Sequence, residues 1–368
     1  MAAGSTIGTL FKITTWGESH GKAVGVVVDG CPAGLALSEE DIQVYLDRRK
    51  PGQSKFTTQR KESDQVEILS GVFEGKTTGT PISMLVYNKD QRSKDYSEIA
   101  SMYRPGHADY TFDAKFDFRD YRGGGRSSAR ETIARVAGGA VAMKALKELG
   151  VDIFAYTKSI GSVQCKDENF DRTFIGENRL AMPDRDAVKE AEAYLETMME
   201  QKDSSGGIVE CQIHGIPAGV GEPVFDKLSA SLAKGIGSIG AVKGFEIGEG
   251  FLAAIRNGST NNDQFYYDEE GKLQKATNHA GGILGGMSDG SPVVLRAAFK
   301  PTPSIAKMQK TVNQKGENIE TSIKGRHDPI VVPRAVVVVE AMAAVTVLDM
   351  MLVSMTSRID KVKAFFLS

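Results

Sequence analysis

Between Arg104 and Glu131 the sequence reads RPGHADYTFDAKFDFRDYRGGGRSSARE. Five arginines (Arg104, Arg119, Arg122, Arg126 and Arg130), one histidine (His107) and a glycine triplet share this stretch. Guanidiniums are planar forks of N–H donors that match the oxygens of carboxylates and phosphates. Ser128 followed by Glu131 predicts a capping box that opens a helix over 132–149, closed by Gly150. A helix start offers unpaired N–H groups and a partial positive charge, so it too receives anions. The alternative is a solvated loop whose arginines pair with Asp109, Asp117 and Asp120. So many arginines beside Gly-Gly-Gly and a helix start favour the anion site, with phosphate the natural guest.

Other stretches add to this chemistry. Gly17-Glu18-Ser19-His20-Gly21 presents a histidine in a polar turn, where flanking glycines allow close approach of a ligand. A second basic cluster comprises Arg48, Arg49, Lys50, Lys55, Arg60 and Lys61. The dipole at a helix C-terminus accounts for 48–50 but not for Lys55 or Arg60. Glycine-dense 278–286, the rigid turn Lys300-Pro301-Thr302-Pro303-Ser304, and Gly325-Arg326-His327-Asp328-Pro329 complete the set. Histidines near such cations suit proton transfer near neutral pH. His214 ends a strand pattern and reads as structural. The glycines at 237–244 do not form GxGxxG in a strand–turn–helix context, and no His or Cys spacing forms a metal-ligand set.

The elements that must position these residues read as mixed α and β. Strands are expected at 7–14, 23–28, 65–69, 81–86, 153–162, 207–213 and 292–299. A helix starts after Ser38, with Asp41 three residues on, and ends at 48–50 before Pro51. Further helices are expected at 184–201 and 225–237, with a long functional loop at 87–126 and a hydrophilic surface excursion at 257–276. The apolar run 335–355 carries Glu340 and Asp349, which argues for a buried or interface helix over a membrane span. Its approach through Arg326-His327-Asp328 echoes Arg126-Ser127-Ser128 before the other central helix. Small residues (Gly138, Gly139, Ala140, Ala341, Ala343 and Ala344) would let these two helices pack closely. With no linker composition, one domain over 1–368 is expected, its loops converging on one pocket. A formal net charge of −2 gives no general pull towards nucleic acid or an acidic membrane, so any cationic site is local. Three scattered cysteines and an amino terminus without a basic-then-apolar leader point to the cytoplasm. From the residues alone, the reading stops at an enzyme for a phosphorylated, carboxylated metabolite, with room for a phosphorylated cofactor.

Six segments then carry a resemblance. GESHG (17–21), RPGHADYT (104–111), DYRGGGRSSARET (120–132), NHAGGILGG (278–286), KPTPS (300–304) and GRHDP (325–329) are similar, in order and over essentially the whole chain, to the chorismate synthase family. The resemblance implies an α+β fold, a β-α-β sandwich with a central helical layer between antiparallel sheets, assembled as a homotetramer. It implies anti 1,4-elimination of phosphate and the C6 hydrogen from 5-enolpyruvylshikimate 3-phosphate, giving chorismate. Reduced FMN is required in that family although no net redox change occurs.

Carried over by motif, the flavin-contacting set is Arg126, Ser127, Ser128, Gly240, Ala241, Gly285, Lys300, Pro301, Thr302, Pro303, Ser304 and Arg326. Gly240 stands where some relatives have asparagine, which leaves only a backbone contact. Arg49 and Lys55 match substrate- or NADPH-binding positions, and lysine at 55 keeps charge but loses the bidentate fork. Arg104, Ala129 and Arg130 are expected to hold the substrate. By the same resemblance His20 protonates the departing phosphate, His107 protonates the reduced flavin, and Asp328 works with flavin N5 on the C6 hydrogen. His279 and His327 are expected to be structural. Two rival readings are an NADPH-dependent flavin reductase and a non-enzymatic anion or RNA binder, the latter disfavoured by the net charge.

Overall fold

The computed structural model describes residues 4–50, 64–89, 100–323 and 328–367. Its helices are α1 (Glu39–Arg49), α2 (Asp109–Phe116), α3 (Thr132–Glu148), α4 (Arg185–Glu200), α5 (Leu228–Gly237), α6 (Gly258–Asn261), α7 (Val332–Ser354) and α8 (Ile359–Leu367). Two five-stranded sheets flank the central pair, α3 and α7. The first orders its strands Thr6–Ile7, Lys12–Gly17, Ala23–Asp29, Ile82–Tyr87 and Val66–Ile68. The second orders them Val242–Ile247, Val293–Phe299, Gly207–His214, Asp152–Ile160 and Val163–Gln164. Every pairing in both is antiparallel. The expected α+β sandwich with a central helical layer is therefore what the chain forms.

Composition explains the layer. Along α7, residues from Val332 to Met350 are almost all buried, as expected of a helix that is apolar on every side. The helix is long and apolar enough to span a membrane, yet 83% of its most apolar window is buried inside the fold, which makes it a core helix. In α3, Gly138 and Gly139 thin the helix on two sides. A methyl added at Gly138 would lie 2.9 Å from Ile13 of the first sheet, and one added at Gly139 would lie 2.5 Å from the Ala341 Cα of α7. The close approach that the small residues predicted is thus made through Gly139 and Ala341.

Charges buried in this layer are tied down. Asp349 of α7 accepts the backbone N–H groups of Thr9, Leu10 and Phe11 at 2.8, 2.7 and 2.9 Å. This is why the strand expected at 7–14 is instead a hairpin. Gly8 turns the chain at φ +105, and the carboxylate satisfies the donors that a continuous strand would have sent to a neighbour. Glu340 accepts two N–H bonds from Arg48 at 2.6 and 2.8 Å and one from the Ala155 backbone at 2.9 Å.

Several expected boundaries change for local reasons. Ser38 and Asp41 do form a capping box. Ser128 instead caps a 3-10 turn at Ala129–Glu131, and Glu131 turns to Arg135 and Thr15 rather than back to Ser128. Helix α2 interrupts the long loop expected at 87–126, and α5 starts at Leu228 rather than 225. The excursion at 257–276 is exposed as expected but contains α6 and a small hairpin, Phe265–Tyr267 with Leu273–Lys275. All three cysteines are free and buried.

Gly139→Ala is predicted to lower the thermal midpoint. Alanine gains about 1 kcal/mol of helix propensity, but forcing the helices apart costs about 1–3 kcal/mol. A midpoint at or above that of the parent protein in a thermal melt would contradict the close α3–α7 packing.

Candidate functional site

The GESHG turn follows the strand Lys12–Gly17, so strand pairing fixes where His20 leaves the sheet. Arg126 holds this turn from the other side. Its guanidinium donates to the Thr15 carbonyl (3.1 Å), the Thr15 hydroxyl (2.7 Å) and the Gly17 carbonyl (3.1 Å). His20 Nδ1 hydrogen-bonds Ser19 Oγ at 3.1 Å. Gly123, at φ +85, lies against the imidazole, and a methyl there would sit 2.5 Å from His20 Nδ1. Here the first glycine of the triplet has a specific reason: neither the backbone angle nor the space admits a side chain.

Arg104 NH2 reaches the Gly123 carbonyl at 3.5 Å and holds Asp109 through Nε (2.8 Å), NH2 (2.7 Å) and its own backbone N–H (2.9 Å). Arg119 joins the same carboxylate at 3.0 Å. Burial alone would raise the Asp109 carboxyl, but the Arg104 hydrogen bonds outweigh it and hold the group below its ordinary range. Arg122 pairs with Asp120 at 2.7 Å. The pairing of arginines with nearby aspartates, set aside at first in favour of an open anion site, is therefore real for Arg104, Arg119 and Arg122. Asp113 takes part, at 3.4 Å from Arg119, where Asp117 had been expected. Asp117 serves instead as the left-handed C-cap of α2.

His107 follows Arg104 in a tight turn, its backbone N–H donating to the Arg104 carbonyl at 3.2 Å. The ring joins two loops far apart in sequence: Nδ1 lies 3.0 Å from the Pro105 carbonyl and Nε2 lies 2.9 Å from Ser304 Oγ. A carbonyl can only accept, so Nδ1 carries the proton and the neutral ring's Nε2 accepts from the serine hydroxyl. Burial, aided by the Arg104 charge, pulls the imidazole below its ordinary value, which favours this neutral form. Lys300 Nζ donates to the Gly106 carbonyl at 2.7 Å, and burial with the nearby Lys243 lowers its ammonium. The Lys300 backbone N–H donates to the carbonyl of Ala241, itself at φ +73, which brings the 240–241 turn beside the 300–304 turn. Pro303 packs on Gly106. Thr302 Oγ1 is buried and has no protein partner among the described residues.

A third group gathers around Asp64, whose carboxylate is fully buried and takes Arg49 on one oxygen and Arg130 on the other at 3.1 Å. Arg130 also donates to the Asn88 side chain. Arg49 is 2% exposed, and its Nε lacks a partner among the described residues. Arg334, at the start of α7, donates to the Arg49 carbonyl at 3.3 Å and to Asp328 at 2.7 Å. Two guanidiniums thus share one carboxylate, which leaves a net positive charge where the starts of α3 and α7 come together.

The structure therefore brings His20, Arg104, His107, Arg126, Ser127, Ser128, Ala129, Arg130, Arg49, Gly240, Ala241, the 300–304 turn and Asp328 into one connected region. Asp328 pairs with Arg334 at 2.7 Å. Gly285 lies in the turn after Ile283–Leu284, whose next residue, Gly286, accepts from Leu228 of α5. No described contact joins that turn to the histidines. Lys55, Arg60, Lys61, Arg326 and His327 lie outside the described residues, and with them most of the echo between the two helix junctions. His279 bonds the Asn261 carbonyl at 3.1 Å, and His214 stacks on Phe154, so both have structural partners. Asp109 was named at first only as an arginine partner in the solvated-loop alternative, and Asp64, Asn88 and Arg334 were missed. Asp64 had a faint signal, as an acid just before a strand and downstream of the basic cluster. The others became legible only once the fold joined them to arginines.

The chain matches known proteins over almost its whole length. Residues 11–352 match the family model described as chorismate synthase. A protein of Lachnoclostridium phytofermentans named chorismate synthase is 66% identical over 99% of both chains. One of Methanosarcina mazei with the same name is 55% identical over 95% of this chain and 96% of its own. A crystal structure of chorismate synthase, 32% identical, superposes with a TM-score of 0.77 over 98% of this chain and 97% of its own.

His107 is predicted to titrate below 6.5 in the ligand-free protein and to move upward when millimolar inorganic phosphate is added, by NMR of the imidazole. A group whose folded value is depressed in this sense favours the folded state above about 6.5 and loses that contribution as pH falls. A free-protein value above 6.5 would contradict the buried, Nδ1-protonated ring.

Proposed function

The chain belongs to the chorismate synthase family and is a lyase of that kind, and on that premise we propose that it converts 5-enolpyruvylshikimate 3-phosphate to chorismate with reduced FMN. The observation that carries the site assignment is the His107–Ser304 hydrogen bond at 2.9 Å, which joins the arginine-rich loop to the KPTPS turn across 197 residues. Chorismate formation breaks the ring carbon–oxygen bond to phosphate and removes a hydrogen from C6, leaving a new ring double bond. The substrate brings a phosphate and two carboxylates, and the cofactor brings another phosphate. The local net positive charge around Arg49, Arg130 and Asp64 suits such a guest, as do the converging helix starts.

The chemistry of the donor set fits a flavin mononucleotide. Thr302 Oγ1 is a buried hydroxyl without a protein partner among the described residues. Ser127 is exposed, Ser304 and Lys300 lie in the same turn as Thr302, and Gly240 has open space where a side chain would stand. Arg126 spends its donors on Thr15 and Gly17 here, so its part is to fix the GESHG turn that carries His20. Bound FMN would supply electron density to a carbon–oxygen bond that is hard to break.

The chain's own groups then have distinct tasks. His20, set against Gly123 and beside the Arg104 pairing, places an imidazole proton where phosphate departs, and nearby cations stabilise the charge that develops. His107 holds Nε2 towards Ser304, and an anionic guest would raise its proton affinity enough to make it a donor. Asp328, held by Arg334, keeps a carboxylate at the start of α7 for the C6 hydrogen. Arg104, Ala129 and Arg130 form the substrate wall, with Arg49 acting from within. Lys55 and Arg326 belong to the same proposal by motif.

We read the chain as one domain, because α3 and α7 serve both sheets, and as a cytoplasmic homotetramer. The exposed Phe225, Phe251 and Ile255 support association of copies. Among the described residues, Arg104, Arg119, Arg122 and Arg130 all face carboxylates, which argues against a continuous basic face for nucleic acid.

An anaerobic assay with the enolpyruvyl substrate tests the reading. Product should form with chemically reduced FMN and not with oxidised FMN. No product from a folded, FMN-bound protein would overturn it. Repeating the assay with NADPH as sole reductant decides whether the chain also reduces its flavin. His107→Ala is predicted to lower kcat by about 10²–10⁴ with a much smaller change in KM. Equal losses would remove its proton role. Arg130→Ala should act mainly on substrate affinity, and an unchanged KM would rule out the substrate wall.

A further inference from the structure

A cavity of about 370 Å³ opens beside α1, the start of α7 and the strand Asp152–Ile160, and shares only Arg334 with the region described above. Five cations line it: Arg48, Lys50, Arg172, Arg179 and Arg334. The one lining acid among the described residues, Glu340, is 3% exposed and already accepts from Arg48 and from the Ala155 backbone. Lys50 is paired with Asp47, Arg172 with Asp152 and Arg334 with Asp328, all outside the lining. Arg179 is exposed at the rim and has no carboxylate partner among the described contacts. Cations gathered in a concave, partly apolar space concentrate positive potential and draw an anion.

The rest of the wall says what kind of anion. Tyr45, Phe154 and Val337 give an apolar face. The Arg172 guanidinium lies over the Phe154 ring, 3.9 Å from its centroid, making a flat platform with a charged edge. The volume is that of a pocket for one small molecule. We propose that this cavity is a second anion site, separate from the catalytic region, for a small ring-bearing carboxylate or phosphate. The ring lies on the Arg172–Phe154 stack and Val337, and the anionic group meets Arg179 and the edge of the Arg172 guanidinium. Alternation along one helix end keeps the two sites apart: Arg48 and Lys50 face the cavity, while Arg49 between them holds Asp64. The proposal stands on the cavity and does not depend on the reaction assigned above.

Calorimetric titration of the full chain with phenyl phosphate, benzoate and inorganic phosphate tests it. At least one ring-bearing probe should bind, and comparing phenyl phosphate with benzoate identifies the anionic group. Inorganic phosphate should bind more weakly than the better of the two. Arg179→Ala and Arg172→Ala should each weaken that binding roughly tenfold, with Arg179→Ala leaving turnover unchanged. Arg130→Ala, in the other region, should leave binding intact. Binding lost in Arg130→Ala but kept in Arg179→Ala would place the anion in the catalytic region and overturn the proposal. So would the absence of millimolar binding by either ring-bearing probe. Inorganic phosphate binding as tightly as both would remove the platform.

Discussion

The structure depends on two helices that touch nearly backbone to backbone. Gly139 of α3 meets Ala341 of α7 with no room for a methyl group between them. That contact sets the thickness of the central layer, and the layer sets the separation of the sheets on either side. It also fixes where the two helices begin. Arg126 to Arg130 lead into α3, Asp328 and Arg334 lead into α7, and the Arg334–Arg49–Asp64–Arg130 chain closes the gap between them. The positive ends of two helix dipoles and several guanidiniums thus face one region because two small residues let the helices close together.

Within that region charge is organised by exchange of partners. Asp64 and Asp109 each hold two arginines in place. Breaking a buried pair outright is expensive, on the order of 3–5 kcal/mol. A polyanion that adds its oxygens to spare donors, such as the Arg49 Nε that has no partner among the described residues, avoids that cost. The acids keep the cationic forks oriented, so less ordering remains for the ligand to supply. His107 follows the same logic. Its neutral ring is held between Pro105 and Ser304, and its proton affinity depends on which charge stands beside it.

Much of this was legible in the chain. The long apolar run 335–355, with its two acids, marked a buried or interface helix, and the small residues marked its contact with α3. Glu340 and Asp349 turned out to be the reason that such a helix can carry charge: each is spent on donors from another element. The functional segments could be read because glycine, proline and arginine clusters are local. Their partners could not. Nothing next to Arg130 in sequence points to Asp64 or Asn88, and Ser304 lies 197 residues from His107. The Ser128–Glu131 spacing fits a capping box, yet Glu131 found a better partner in Arg135, so the local rule lost to a neighbour one turn on. The 7–14 strand failed for a longer-range version of the same reason, since its middle donors go to Asp349.

That last anchor bears on how the protein is made. The N–H groups of residues 9–11 leave the ribosome long before their acceptor, which lies 338–340 residues later. Until Asp349 has been synthesised and α7 has docked, the opening hairpin lacks the group that shapes it, and the GESHG turn hangs from an unfinished strand pair. Contacts of such sequence separation are slow to form and come late. The nascent chain can therefore build much of its second sheet while its beginning waits. Maturation of the His20 turn is then tied to completion of the carboxyl-terminal part, so a prematurely terminated product would lack an ordered first loop.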